Sequence, residues 1–342
     1  MLALSSTYYK YLITCGIFNA YLPIFSVCSA PDNAVAHVRI GNELCAAERS
    51  YQIKRKEIVR QTLNSMLQTK IESDYVPTIA LACSGGGYRA MLYSMGAIVG
   101  AEKTGLLNSI MYLVGLSGST WSIGGWLCSD KSATDYLQWL IPATENGILP
   151  FGFENALLLG EVLLGKEYYS QPLGVVDLYG GLLTGALFKD KGVLKYKVKL
   201  SDQCQRVENA LVPFPIYTAM RADKPDDNSE TMWYEFTPYE IGACWLNAYI
   251  PSWAYGRQFK NGISIDFATE MSFGTELATF GLAIGGTVAK MIKSLNLEEQ
   301  FYFSFSKKIV KKIIMSSLGS ARLYAAEINN FMLGMEHSQV KD

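Results

Sequence analysis

The sequence predicts an α/β fold with a central, mostly parallel sheet flanked by helices, and three stretches carry that reading. TIALAC at 78–83 is a short apolar run that breaks off into Ser84-Gly85-Gly86-Gly87. A helical pattern from Tyr88 to Thr104 follows, closed by Gly105 as a C-cap. SIMYLVG at 109–115 then runs directly into Leu116-Ser117-Gly118 and a further helix. Unbroken apolar runs of this length suit strands buried on both faces, and strands alternating with helices make a βαβα unit. Such sheets carry their sites at the carboxyl ends of the strands, where the glycine loop and the serine both fall.

The segments ahead of the first strand differ in kind. Lys10 is the only charged side chain before Asp32, so residues 1–30 read as a signal peptide or membrane anchor, with Ser29-Ala30 as a small-residue cleavage site. That implies a secreted or membrane-associated protein. The alternative is a buried amphipathic N-terminal helix in a cytoplasmic one. From 46 to 69 the chain reads as a surface helix leading into the core, with Ile58, Leu63, Met66 and Leu67 set among charged residues at helical spacing.

Composition narrows the function. The chain has 342 residues, 49% of them hydrophobic, and a mean hydropathy of +0.12, enough for one large core or two modest ones. Thirty basic and 31 acidic side chains leave a net charge of −1, so no global field attracts nucleic acid. The seven cysteines include no C-x-x-C pair and have no histidine beside them to complete a zinc site. They read as buried free thiols, and neither a metal nor a cofactor is expected.

Ser117 is the candidate nucleophile. A serine between strand and helix, flanked by small residues, can sit on a strained turn that projects its hydroxyl from the sheet edge. The stretch G-L-S-G-S departs from G-x-S-x-G at Ser119, and a plain helix N-cap is the competing role for Ser117. The glycine loop offers backbone N–H groups that could hold the oxyanion of a tetrahedral acyl intermediate. Gly85 to Ala90 also satisfies G-x-G-x-x-A, so a phosphate or dinucleotide cradle stays open, although no acidic residue ends the second strand to hold a ribose. The two histidines, His37 and His337, lie in segments unlike an active site. A carboxylate acting directly on the serine is therefore expected in place of a Ser-His-Asp triad.

SGGGYRAM at 84–91 and GLSGSTW at 115–121 resemble the paired signatures of the cytosolic phospholipase A2 and fungal lysophospholipase family. LCAAERSYQIKRKEIVRQTL at 44–63 is similar to the helix that family places before its first core strand. MWYEFTPYEIG at 232–242 and YGRQFKNG at 255–262 resemble its later W-x-E-F-(S/T)-P-Y-E-(I/V)-G block, so the likeness runs from about 44 to 290. It implies a patatin-like, cytosolic phospholipase A2 type core over 44–342 that hydrolyses fatty-acyl esters of phospholipids or lysophospholipids at a membrane surface. Ser117 would form the acyl-enzyme, Gly85 and Gly86 the oxyanion hole, and Arg89 would meet the substrate phosphate.

Two departures accompany the resemblance. Too few residues precede 44 for the calcium-binding C2 domain of the animal members, so calcium-driven docking is not expected. No aspartate after Ser117 stands in the family's D-(S/A/G)-G segment. Asp177 resembles a structural position and Asp266 has no catalytic context, so the chain reads as the N-terminal part of a catalytic domain, or as an inactive lipid- or nucleotide-binding relative. Trp121, Trp126, Trp233, Trp245 and Trp253 read as core or lipid-facing rim, RADKPDDNSE at 221–230 as a solvated loop, and KKIVKKII at 307–314 as a solvated helix face.

Overall fold

A computed structural model describes residues 33–145, 153–221, 232–281 and 329–335. Residues 1–30, 222–230 and 307–314, together with His337, lie outside the described residues, and so do the expectations that fall on them. In chain order come β1 (Arg39–Ile40), α1 (Ala46–Leu67), β2 (Ala80–Cys83), α2 (Gly87–Lys103), β3 (Tyr112–Leu116) and α3 (Gly118–Leu127). The helices α4 (Ala133–Thr144), α5 (Phe153–Tyr168), α6 (Val175–Leu187) and the single turn α7 (Cys204–Val207) follow. The strands β4 (Phe214–Arg221), β5 (Met232–Phe236), β6 (Glu240–Ala243) and β7 (Ala248–Pro251) complete the main sheet. A small hairpin, β8 (Phe259–Lys260) with β9 (Ile263–Ser264), then leads to α8 (Phe273–Gly281).

The seven strands are ordered β1-β7-β6-β5-β4-β3-β2. The α/β class is the one the sequence predicts, but parallel pairing is confined to β2–β3–β4, with Ala80 opposite Tyr112 and Tyr112 opposite Phe214. The other four pairings are antiparallel. Loop length explains the difference: only a few residues join β5 to β6 and β6 to β7, and so short a link can connect only antiparallel neighbours. Thr237 closes the first of these turns, its N–H donating to the Glu240 carbonyl at 2.9 Å. The expectation that TIALAC is a buried strand also needs correcting. Among the described residues β2 is an edge strand, with Ala80 and Ala82 exposed and Leu81 and Cys83 half-buried.

The helix α1 packs by a face that hydrophobic periodicity does not find. Its buried residues are Glu48, Tyr51, Arg55 and Val59, at helical spacing, whereas Met66 and Leu67 are exposed and Ile58 and Leu63 only partly covered. Arg55 is 0% exposed, and its guanidinium donates to the carbonyls of Ile110 (3.0 and 2.8 Å), Ala210 (2.9 Å) and Leu107 (2.7 Å). The Tyr51 hydroxyl lies 3.0 Å from the Met111 carbonyl and 2.9 Å from that of Val212. Together they clamp the entries to β3 and β4, which fixes where β3 ends and so where Ser117 stands.

On the other face of the sheet, α3, α6 and α8 form the core. Trp121 and Trp126 are buried there, while Trp233 is 41% exposed. Trp245 packs against Tyr234, and Trp253 lies under Arg257. The ring of Phe280 on α8 stacks on Tyr217 of β4 and meets Phe236 of β5 edge-on. The buried ion pair between Lys166 of α5 and Asp177 of α6 (2.6 Å) ties these helices together.

Candidate active site

The β3–α3 junction is a strained corner. Ser117 has φ 54° and ψ −127°, a conformation that costs a non-glycine residue on the order of 1–3 kcal/mol and persists only where the surroundings enforce it. Those surroundings are visible. A Cβ on Gly118 would fall 1.9 Å from the Gly87 carbonyl oxygen, so only glycine lets the corner press against the glycine loop. One on Gly115 would crowd Ile123 at 3.1 Å and Thr120 at 3.3 Å. The Ser117 carbonyl, in turn, accepts from Thr120, from its backbone N–H at 2.9 Å and from its hydroxyl.

Ser117 occupies the N-cap position of α3, yet its side chain makes no capping hydrogen bond. Its hydroxyl is directed instead to the Gly281 carbonyl at the end of α8, 3.5 Å away, and the residue is 4% exposed. The capping role weighed from the sequence is therefore not the one the side chain performs. Ser119, the departure from G-x-S-x-G, has a structural task. Its oxygen accepts from the Leu116 N–H at 2.8 Å and lies 3.0 Å from the Cys83 carbonyl, linking the ends of β2 and β3.

The glycine loop lies beside this corner. A Cβ on Gly85 would stand 3.0 Å from that of Ser117. Gly86 (φ 141°) is the N-cap of α2 without any side-chain cap, and Gly87 (φ 60°) opens the helix. Both occupy backbone conformations that favour glycine, and the first N–H groups of a helix have no partner inside it. Arg89, in the first turn of α2, is exposed, and no carboxylate among the described residues forms an ion pair with it. The four predicted positions thus fall along one sheet edge. Gly87 belongs to the glycine loop and Ser119 marks the departure from G-x-S-x-G, but the close approach of Gly118 to Gly87 and the hydrogen bonds of Ser119 are visible only in the fold.

The base is a different matter. Among the described residues no carboxylate hydrogen-bonds to Ser117. Asp177 is engaged with Lys166, with the Gly174 N–H at 2.9 Å and with the Thr275 hydroxyl at 3.2 Å. Asp266 accepts from the N–H groups of Gln258 and Ala268 in the turn after β9. Both carboxylates are structural. Cys83 does not compete as a nucleophile, because burial pushes its thiol pKa up and keeps it protonated.

A serine on a strained strand-to-helix corner, facing a glycine loop at the carboxyl edge of an α/β sheet, is the architecture that acyl-transfer serine hydrolases use. The comparisons make the class specific: the chain belongs to the lysophospholipase catalytic domain family, whose model matches residues 79–331. It is 32% identical over 251 residues to cytosolic phospholipase A2 zeta of Mus musculus, an alignment covering 68% of this chain and 28% of that protein. It is 30% identical over 237 residues to the beta form of Homo sapiens, covering 66% of this chain and 29% of the relative. Human GIVD cytosolic phospholipase A2 superposes with a TM-score of 0.62 at 27% identity, over 71% of this chain and 33% of that one. The chain therefore spans about a third or less of the length of these relatives. No helix among the described residues is long and apolar enough to cross a membrane.

Proposed function

We propose that this chain carries the nucleophile half of an enzyme that hydrolyses fatty-acyl esters of glycerophospholipids or lysophospholipids. The observation that carries the reading is the Ser117 corner: a strained, uncapped serine held against Gly85 at the mouth of the sheet. Ser117 Oγ attacks the acyl carbonyl carbon, its proton passes to a base, and the ester C–O bond breaks to release the alcohol. Water then cleaves the acyl-enzyme and restores the hydroxyl. Gly85 and Gly86 present N–H groups to the oxyanion, and the exposed Arg89 takes the substrate phosphate, for which its planar fork is suited.

The relatives support the substrate class. They are named phospholipases A2, and the human GIVD protein has been solved with a methyl gamma-linolenyl fluorophosphonate inhibitor, a fatty-chain reagent of the kind that phosphonylates activated serines. Their names also include the word cytosolic, which favours a cytoplasmic protein acting at a membrane surface over an exported one. The absence of a carboxylate on Ser117 among the described residues supports a second reading, a lipid-binding relative without turnover. Hydrolysis of lysophospholipid by the wild type and by Ser117→Ala separates the two. A slow rate that disappears in the variant supports the hydrolase. Lipid binding with equal rates in both supports the binder.

A further inference from the structure

Glu276 lies in the first turn of α8 with 0% exposure, and neither carboxylate oxygen has a hydrogen-bond partner among the described residues. None of the ion pairs of the described residues includes it. A carboxylate buried without a partner is so unfavourable that the group keeps its proton instead. Burial is the main cause that pushes Glu276 well above the usual carboxylate range, the charge of Glu270 adds to it, and Lys199 opposes it.

The helix α8 is held closely at both ends. At its start, a Cβ on Gly180 of α6 would fall 2.7 Å from the Gly274 carbonyl, and one on Gly274 would fall 1.8 Å from the Thr184 hydroxyl, so the two backbones already touch. At its other end α8 forms the wall behind the serine. The Leu277 carbonyl accepts from the Trp121 indole N–H at 3.0 Å, and the Gly281 carbonyl faces Ser117. We propose that the proton on Glu276 seats α8, and that losing it lifts the helix from α3 and α6 and opens the wall behind Ser117.

The titratable and charged groups around it come from every packed element. Lys199 and Glu270 lie on the segments before α7 and α8, Tyr217 on β4, Tyr255 after β7 and Cys128 at the end of α3, and all of them interact with its charge. On α6 the groups are Asp177, paired with Lys166, and Tyr179. Glu270 is the other buried carboxyl of the set: burial pushes it up to about 7, and its charge raises Glu276 further. The sign follows from linkage. The unfolded carboxyl ionises near about 4.3 while the folded one holds its proton to higher pH. Stability is therefore greatest at acid pH and falls as pH rises toward the folded value, by at most about tenfold in the folding constant per pH unit for one proton.

The test uses the whole chain, with urea unfolding measured from about pH 5 to about pH 9 and hydrogen exchange followed in residues 273–281. The wild type should lose stability as pH rises, with exchange in α8 accelerating ahead of global unfolding. Glu276→Gln, which mimics the protonated acid, should remove most of that slope and exceed the wild type at the upper end of the range, whereas Glu270→Gln should leave much of it. An infrared band of protonated carboxylic acid should be present at neutral pH in the wild type, and Glu276→Gln or, if that variant does not fold, Glu276→Leu should lose the part of it that Glu270→Gln leaves in place. A wild-type slope retained in Glu276→Gln, a missing band, or failure of both variants to fold would overturn the proposal.

Discussion

Replacing Arg55 by Met should destabilise the chain far more than its place on a charged helix suggests. The guanidinium is fully buried without a carboxylate and makes four contacts to three carbonyls. Burial lowers its pKa, but an arginine keeps its charge. Leu107 retains another donor, the Ile110 N–H at 3.2 Å, so the Ile110 and Ala210 carbonyls bear most of the loss. At about 1–3 kcal/mol for each buried acceptor left without a partner, and with part recovered because no cation is buried, the net loss is about 3 kcal/mol. For a domain of this size that corresponds to a fall of about 6–12 °C in Tm. Arg55→Lys keeps the charge but not the fork, so it should fall nearly as far. Arg60→Met, which breaks only an exposed pair with Glu57, should leave the midpoint where it is. Thermal unfolding of the three variants decides the matter. If Arg55→Met lost less than about 0.5 kcal/mol, well below what unsatisfied buried carbonyls cost, the clamp would not organise β3 and β4 as described.

Ser117→Ala should abolish esterase activity while leaving the unfolding midpoint almost unchanged, since its hydroxyl makes only one long contact, at 3.5 Å; a parent rate on lysophospholipid would reject the nucleophile. Arg89→Ala should slow phospholipid hydrolysis far more than that of an uncharged short-chain ester, because a charge-assisted hydrogen bond is worth about 1.5–3 kcal/mol; equal losses would reject a phosphate contact. Gly118→Ala should unfold or aggregate, as its Cβ meets the Gly87 backbone at 1.9 Å, whereas Gly96→Ala in α2, with nothing within 4 Å, should gain about 0.5–1 kcal/mol in urea unfolding.

The glycine loop and the serine corner were legible because each requires small residues at fixed places, and no other composition tolerates those backbone conformations. The tasks of Gly118 and Ser119 are not legible in the sequence, since their contacts with Gly87 and Cys83 cross between the ends of two strands and leave no local pattern. The core face of α1 is hidden from the sequence for a related reason. Tyr51 and Arg55 face inward because they find carbonyl acceptors at the entries to β3 and β4, and hydrophobic periodicity cannot register a buried arginine. The sheet was expected to be mostly parallel because β2 and β3 are separated by a helix; the short links among β5, β6 and β7, which force antiparallel pairing, carried less weight in that reading. Glu276 looks in the sequence like any other glutamate, and only the packing of α8 shows its burial.

The most direct test of Ser117 as nucleophile is the site of covalent modification. The purified chain is exposed for a long period to a fatty-chain fluorophosphonate, digested, and the adduct located by mass spectrometry. The account predicts a slow phosphonylation of Ser117 alone, absent from Ser117→Ala, because the corner and the glycine loop are formed although no carboxylate among the described residues hydrogen-bonds to Ser117. An adduct on another residue, labelling that persists in Ser117→Ala, or no adduct at all would contradict it.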